Sequence, residues 1–315
     1  MTGSSTNSGR WFWGILLSVL SICLIFTGIS FLLLVSSVLK TGSKNFEYVE
    51  TGSGKQKIAV VDLDFTIIDA APIIRQFKKY REDKSIKAII LRVNSPGGGV
   101  AASQEMYEEV RKTRQSGKPV IVSFGSIAAS GGYYVACGSS LIVSNPGTLT
   151  GSIGVIISFA NFKEMADKLG IKDVTIKSGN LKDSGNPLRE INEDDRKYFQ
   201  EIVDDSYDQF LEVVSKERKI DIETLKPLAN GRVFTGKQAK DLGLVDSLGT
   251  FEDAIRITSQ IAGIEGEPVI VREKKTNHLI ELILENLTRN QLRELKEEFY
   301  SEYINKPVLQ YKFER

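Results

Sequence analysis

The chain has 315 residues, enough for one large α/β domain or two small ones around a well-buried core. Its 41 basic and 40 acidic side chains nearly cancel, so charge gives no reason to expect a nucleic acid partner. The two cysteines, Cys23 and Cys137, cannot form a disulfide framework or a metal cluster, and each reads as a small buried apolar residue. The single histidine, His278, has no nucleophile motif nearby, which disfavours a Ser-His-Asp triad and most metal sites. We expect no metal and no cofactor.

Residues 14–39 form an apolar stretch without a single charge. As a helix the stretch would be about 39 Å long, enough to cross a bilayer with some tilt. Aromatic residues at 11–13 are typical of an interfacial anchor. The stretch is too long for the core of a cleaved signal peptide, and the bulky Ile22 makes a poor lipoprotein site at Cys23. We predict an uncleaved single-pass anchor, whose orientation is left open by basic residues on both sides.

A predicted strand–helix–strand unit follows the anchor. Residues 40–56 are polar and rich in Gly and Ser, as expected for a tether. Apolar, β-branched runs predict buried strands at 57–63, 86–93 and 119–124. A helical pattern over 100–117 separates the last two strands and ends at a glycine. This βαβ arrangement predicts an α/β fold with a parallel sheet.

The rest of the chain is read as two further helices and a tail. Helices are predicted over 192–218 and over about 278–300. The tail 301–315 is basic and aromatic, and we hypothesise that it occupies a neighbour's groove as a regulatory segment. The predicted organisation is an N-terminal tail (1–13), a transmembrane anchor (14–39), a linker (40–56), a globular domain (57–262) and a C-terminal helical extension with its tail (263–315).

The first glycine-rich segment, Asn94 to Gly99, joins a predicted strand to a predicted helix. Successive glycines let backbone N–H groups point at a ligand, as in a phosphate cradle or an oxyanion hole. Phosphate is the weaker choice because the Lys-Ser/Thr ending of a P-loop is absent. A simple tight turn is the alternative.

Two further small-residue segments carry serines. In 123–140, Ser130 precedes two glycines and a helical run, so it can stand at a helix N-terminus, where developing negative charge is favoured. Close packing of a helix on the sheet would also explain these small residues, and physical reasoning alone does not separate Ser130 from Ser126. In 145–156, Ser152 lies between two glycines, where a turn followed by a strand is the plainer interpretation.

A nucleophilic serine without an imidazole needs a lysine or a carboxylate as its base. A free lysine is only about 0.04% neutral at pH 7, so a competent one must be desolvated. The glycine-rich loop 176–187 contains Lys177 and Lys182. Lysines in such loops are most often solvated charges, and spacing alone does not select between the two.

Five motifs in order resemble the bacterial signal peptide peptidase A family in its short, unduplicated form. They are "NSPGGG", "SIAASGGYY", "NPGTLTGSIGVI", "KSGNLKD" and "GRVFTGKQAKDLGLVDSLG", the last at 231–249. The likeness covers roughly residues 57–260 and the anchor. It implies a fold like that of the Clp protease and crotonase superfamily, built from stacked ββα units.

The resemblance also implies roles for individual residues. Ser130 is the nucleophile, Lys182 the general base, and Ser152 orients the lysine. The backbone N–H groups of Gly97 and Gly131 form the oxyanion hole. The family often has an aromatic residue before the lysine, where this chain has Leu181, which leaves the shape of the neighbouring pocket open.

Further expectations concern assembly, substrate and location. The resemblance implies a membrane-bound serine endopeptidase, a homo-oligomer whose Ser and Lys come from neighbouring protomers. Its substrates would be remnant signal peptides and other apolar unfolded peptides. The catalytic domain would lie outside the cytoplasm. Two rivals are a crotonase-like enzyme acting on acyl-thioesters and a non-catalytic membrane scaffold that kept the fold.

Overall fold

The structure is a computed structural model that describes residues 48–273, the short strand at 310–312 and Gly28. The chain divides into two units, residues 1–47 and 48–315. In the first unit only Gly28 is described, and it is helical. The rest of the predicted anchor, and the predicted helix with His278, lie outside the described residues. Within the described part of the chain, no helix has both the length and the hydropathy needed to cross a bilayer.

The described residues form eleven strands and eight α-helices. The strands are β1 (Tyr48–Thr51), β2 (Lys57–Leu63), β3 (Ile86–Ser95), β4 (Gly97–Gly99), β5 (Val120–Ala129), β6 (Leu141–Ser144), β7 (Leu149–Gly151), β8 (Val233–Thr235), β9 (Ser247–Leu248), β10 (Val269–Glu273) and β11 (Gln310–Lys312). The helices are α1 (Ala71–Glu82), α2 (Val100–Gln115), α3 (Gly131–Cys137), α4 (Lys163–Lys168), α5 (Glu193–Arg218), α6 (Ile222–Leu225), α7 (Gly236–Asp241) and α8 (Phe251–Ile261), with a 3₁₀ turn at Asn180–Asp183.

The described strands form one large mixed sheet and one small pair. The large sheet runs β1-β10-β2-β3-β5-β6-β9, with β7 paired to β5 and β8 paired to β7. Its central pairs are parallel, and β1 on β10 and β8 on β7 are antiparallel. The predicted unit β3–α2–β5 is confirmed as a parallel crossover, and the α/β class with it. Both predicted strands extend beyond their apolar runs, to Ser95 and to Ala129.

The apolar runs are nearly continuous because helices cover both faces of the sheet. On β2, Ala59 and Val61 belong to the main core with α1, whereas Ile58 and Val60 pack towards α8. Successive residues of a strand point to opposite faces, so one short run serves two helix layers. Buried contacts on both faces hold the carboxyl ends of the strands in fixed positions.

Helix α3 is short and lies wholly within the core. The Tyr133 hydroxyl donates to Leu244 O (2.8 Å). The Tyr134 ring makes edge contacts with Tyr107 and Phe210, at centroid distances of 5.3 and 5.0 Å. Such contacts are worth about 1 kcal/mol each beyond buried area. The residue before this helix, Ser130, is therefore held by a well-packed element.

Some described elements lie where composition predicted linker or extension. Strand β1 falls inside 40–56, and β10 falls inside 263–315; they pair with each other at one edge of the sheet. Cys137 is 3% exposed, as predicted for a buried apolar residue, and burial raises the pKa of its thiol to about 12. In the tail, β11 pairs with the glycine strand β4.

Candidate active site

Two of the predicted site serines lie side by side at the carboxyl ends of paired strands. Strands β5 and β7 are parallel, with Ala129 in register with Gly151. Ser130 and Ser152 are the next residue on each strand, and the Ser130 N–H donates to Gly151 O (2.8 Å). Neighbouring strands are about 4.8 Å apart. The sheet thus brings together two hydroxyls that are 22 positions apart in the sequence.

Ser130 occupies a strained turn between strand β5 and helix α3. Its φ is 53° and its ψ is −118°, a region that non-glycine residues rarely adopt. Such a conformation costs about 1–3 kcal/mol and is found where a side chain must be aimed. The residue is fully buried, and its Oγ has no hydrogen-bond partner among the described residues. A strained serine on a strand-to-helix turn is typical of a hydrolase nucleophile.

The two glycines after Ser130 have different surroundings. At Gly132 an added Cβ would lie 3.1 Å from Ser95 O, so this glycine permits close packing of α3 on β3. Gly131 is the first residue of α3, and N–H groups in a helix's first turn lack intrahelical acceptors. The packing interpretation of these small residues therefore holds for Gly132. The burial and strain at Ser130 are not explained by packing.

The glycine strand β4 is held from one side by Ile67. The Ile67 N–H donates to Gly97 O (2.8 Å), and the Gly99 N–H donates to Ile67 O (2.7 Å). The N–H of Gly97, the predicted oxyanion donor, donates to Ser95 Oγ at 3.2 Å. Because this bond is long, it competes weakly with a better acceptor. Ser95 thus borders both glycine segments.

The other edge of β4 is paired with the tail. Gly98 lies between the two residues that bond Ile67, so its own N–H and C=O face away from Ile67. On that side it is in register with Tyr311 of antiparallel β11. An added Cβ at Gly98 would lie 2.0 Å from Ile67 O, and φ is +157°. Only glycine fits here, and the outer edge accepts an extended segment.

Ser152 shares the strained geometry and borders a pocket. Its φ is 50°, it is 6% exposed, and its N–H donates to Arg232 O (2.8 Å). The pocket has a volume of about 560 Å³ and is also lined by Val203, Tyr207 and Gly231. Ser152 is thus positioned between Ser130 and an open cavity.

Lys182 is not hydrogen-bonded to either serine within the described residues. It is exposed on the 3₁₀ turn, and within the described residues no hydrogen bond or ion pair involves its Nζ. Lys177, the alternative base, donates to Asp183 Oδ1 (2.7 Å) and Asn180 O (2.9 Å). Lys177 is therefore committed to the loop, and Lys182 is the lysine left available.

Ser126, the alternative serine, differs from Ser130 in its surroundings. It is exposed, and its N–H donates to Asn94 Oδ1 (3.1 Å). A solvated hydroxyl on the strand surface lacks both the burial and the helix terminus found at Ser130.

A polar cluster that the sequence did not predict holds the Lys182 turn. Arg189 donates to Asp183 (Nε to Oδ2, 3.0 Å) and, through both Nη atoms, to Asp195. The Ser184 hydroxyl also donates to Asp195 Oδ1 (2.5 Å). The Arg189 guanidinium lowers the pKa of both carboxyls, and Asp195 is fully buried. The pattern Asn192–Asp195 is a capping box at the start of α5, which is the one part of the cluster visible in sequence.

The segment 155–190, here called the arm, carries an apolar surface. Eight of the fifteen exposed large hydrophobic side chains of the described residues lie on it. They are Ile156, Phe162, Met165, Leu169, Ile171, Val174, Ile176 and Leu181. Such a concentration of exposed apolar side chains in one segment is typical of a protein contact.

A metal site finds no support in the described ranges. Among these residues no three His, Cys, Asp or Glu side chains are grouped as metal ligands.

The fold and the strained, buried Ser130 define the class of protein as a serine-hydrolase-like α/β protein. Residues 112–265 match the model of peptidase family S49. The chain is 40% identical over 222 residues to a putative signal peptide peptidase SppA of Enterococcus faecium, covering 66% of this chain and 64% of that protein. It is 40% identical over 218 residues to a putative protease of Synechocystis sp., covering 69% of this chain and 78% of that protein. It is 38% identical over 216 residues to Protease 4 of Haemophilus influenzae, covering 65% of this chain and 35% of that protein.

The chain belongs to peptidase family S49, and the predicted relationship is confirmed. The match spans a little under two thirds of the Enterococcus faecium protein and about a third of Protease 4.

Proposed function

We propose that this member of a serine protease family is a membrane-anchored endopeptidase with Ser130 as nucleophile and Lys182 as general base. The observation that carries the proposal is the strained, buried and unpartnered hydroxyl of Ser130 at the start of α3. Ser152 orients the lysine amine, and the N–H groups of Gly97 and Gly131 form the oxyanion hole. The domain is built from stacked ββα units like those of Clp proteases and crotonases.

The reaction proceeds through an acyl-enzyme. Ser130 Oγ forms a bond to the peptide carbonyl carbon as its proton passes to the neutral Lys182 amine. The carbonyl oxygen becomes an oxyanion, stabilised by the two glycine N–H groups. The C–N bond then breaks, and the leaving amine takes the proton from the Lys182 ammonium. Water then attacks the ester by the same route, which releases the acid product and restores the free hydroxyl of Ser130.

The active site is proposed to be shared between protomers of a homo-oligomer. Lys182 is exposed and unpartnered within the described residues, and the arm that carries it has an apolar surface. A neighbouring copy packed on that surface would desolvate the amine and favour its neutral form.

The substrates are proposed to be cleaved signal peptides and other apolar, unfolded segments. The edge of β4 pairs with an extended strand, which is how a peptide backbone would be held beside Ser130. The uncharged stretch 14–39 supports a single-pass anchor in the cell membrane, and the catalytic domain is proposed to lie outside the cytoplasm.

Peptide hydrolysis by the full chain in detergent tests the catalytic pair. Ser130→Ala and Lys182→Ala should each abolish turnover of an apolar peptide. Ser126→Ala, an exposed serine on the same strand, and His278→Ala should retain it. Wild-type turnover by Lys182→Ala would remove the proposed mechanism.

Mixing the two inactive variants tests the shared site. Ser130→Ala and Lys182→Ala chains, co-assembled in equal amounts, should regain about a quarter of wild-type activity, because one site in four then combines an intact serine with a neighbour's intact lysine. No regain despite shown co-assembly would place both groups on one chain.

A further inference from the structure

We propose that Arg189 is a positioning residue for the Lys182 base: it fixes the turn that carries the lysine and neutralises the carboxylate beside it. This inference rests on the proposed function, because it assigns a role in the work of Lys182. It starts from the buried carboxylate of Asp195, which Arg189 joins to the arm.

Asp195 anchors the cluster to the domain. Its side chain is fully buried at the first turn of α5, and its Oδ2 accepts from the Asn192 N–H (3.2 Å). The Asp195 N–H in turn donates to Asn192 Oδ1 (2.8 Å). A buried carboxylate with several donors is held in one orientation, since any displacement leaves a charge unpaired. Asp195 therefore provides a fixed point on α5, to which the arm can be bonded.

Arg189 links Asp195 to Asp183, the residue after Lys182. Its Nη2 donates to Asp195 Oδ1 (2.9 Å) and to Asp183 Oδ1 (3.1 Å), and its Nε donates to Asp183 Oδ2 (3.0 Å). A further bond runs from Nη2 to Asp183 O (3.2 Å). The planar guanidinium thus binds two carboxylates at once, which an ammonium group cannot do with the same geometry.

The turn before Lys182 is fixed by a second cation. Lys177 Nζ donates to Asn180 O (2.9 Å), at the first residue of the 3₁₀ turn, and to Asp183 Oδ1 (2.7 Å), at its last. Backbone packing supports the same loop: an added Cβ at Gly185 would lie 2.5 Å from the Phe159 ring, and φ there is +81°. Both ends of the turn are held, while the Lys182 side chain forms no hydrogen bond within the described residues.

The charges of the cluster that holds the Lys182 turn balance. Lys177, Asp183 and Arg189 on the arm and Asp195 on α5 sum to zero. Asp173 of the arm is bonded instead to the neutral amide of Asn186 (2.8 Å) and keeps its negative charge. An unpaired carboxylate next to Lys182 would favour the ammonium, which cannot accept a proton. Pairing Asp183 with Arg189 and Lys177 removes that effect. Arg189 thereby supports the base both sterically and electrostatically.

The test uses full-chain variants and the pH profile of kcat/KM. Arg189→Gln should lower kcat by about 100-fold with little change in KM. The acidic limb of the kcat/KM profile of this variant should move to higher pH by about one unit, because Asp183 is then only partly neutralised. Asp183→Asn should move this limb to lower pH, and the double variant Arg189→Gln with Asp183→Asn should return it towards the wild-type position. Arg189→Lys should restore the limb more than the rate. Arg196 is an exposed arginine next to Asp195 at the start of α5, and Arg196→Gln should behave as wild type.

Several results would overturn the positioning role. One is a wild-type kcat and pH profile in Arg189→Gln. Another is an acidic limb that moves in the same direction in Arg189→Gln and Asp183→Asn. If Arg189→Gln does not fold, the position of the acidic limb in Asp183→Asn and the kcat of Arg189→Lys decide whether Arg189 has this role. The proposed function is tested separately, since an active Lys182→Ala would refute the base itself, whereas an inactive Lys182→Ala with a normal Arg189→Gln refutes only the role of Arg189.

Discussion

The serine region and the lysine arm are built by different means. Ser130 and Ser152 are positioned by parallel strands, a buried helix and strained backbone, all inside the core. Lys182 stands on an exposed 3₁₀ turn held by ion pairs, within a segment whose apolar side chains face outward. The proposed nucleophile is thus held within one folded chain. The proposed base is exposed, and its proposed chemistry needs burial by a second copy.

The largest expected effect comes from filling the space of a site glycine. Gly98→Ala would place a Cβ 2.0 Å from Ile67 O at a φ of +157°, so β4 must shift. We expect kcat/KM to fall by at least about 100-fold, because the proposed oxyanion donor Gly97 moves with the strand. Peptide hydrolysis measures the change. Gly147→Ala, which has open space around it, is the matched control, and normal activity in Gly98→Ala would show that the strand tolerates displacement.

The next effect separates the arm from the core. Val174→Ser with Ile176→Ser removes two side chains that are 83% and 97% exposed, so the stability of the single chain should hardly change. Activity at low protein concentration should fall about tenfold, because apolar contact between protomers is lost. Sedimentation and activity against concentration measure it. A Val49→Ser variant, exposed but outside the arm, serves as control. Unchanged assembly in the arm variant would argue against this surface as the contact.

A smaller effect concerns acid stability of the polar cluster. Arg189 holds the pKa of Asp195 well below its usual range, so the stabilisation is fully present above about pH 4 and is lost as pH falls through the folded-state pKa. Asp195→Asn should lower the free energy of unfolding at pH 7 by about 2 kcal/mol. It should also flatten the dependence of stability on pH below about 4.

Thermal unfolding at pH 7 and pH 3 measures both effects. Asp194→Asn, an exposed neighbour on the same turn, should leave the dependence intact. An equal acid loss in wild type and Asp195→Asn would show that the ion pair adds no stability.

The smallest effect tests the tail on β4. Removing 301–315 should raise kcat/KM by about two- to threefold, because the edge beside Gly98 becomes free for a peptide. In the full chain, Tyr311→Pro should have the same effect, since proline cannot donate to the ladder, whereas Tyr311→Ala keeps its N–H. Unchanged activity in both the truncated chain and Tyr311→Pro would exclude a regulatory role for this pairing.

Sequence patterns predicted the central sheet well. Continuous apolar runs and a helix ended by glycine were enough for β2, β3, β5 and α2, because these features follow from local composition and periodicity. The edge pair β1 and β10 was not predicted. Both segments are short, and they become strands by pairing: β1 with β10, and β10 with β2.

At the site, the sequence named candidate residues but not their arrangement. Burial and positive φ distinguish Ser130 from Ser126, and both depend on three-dimensional context that residue types do not carry. Lys182 is distinguished from Lys177 by the bonds that Lys177 makes to Asp183. Arg189 was missed since its two carboxylate partners lie six positions away on either side, outside any helical or strand period.

The left-handed backbone at Ser130 has a consequence for the evolution of the protein. Glycine would relieve this conformation, offsetting its own conformational entropy of about 1 kcal/mol, so Ser130→Gly should be at least as heat-resistant as wild type. Under the proposed mechanism the same variant has no hydroxyl to acylate, so selection for thermal endurance alone would favour an inert protein.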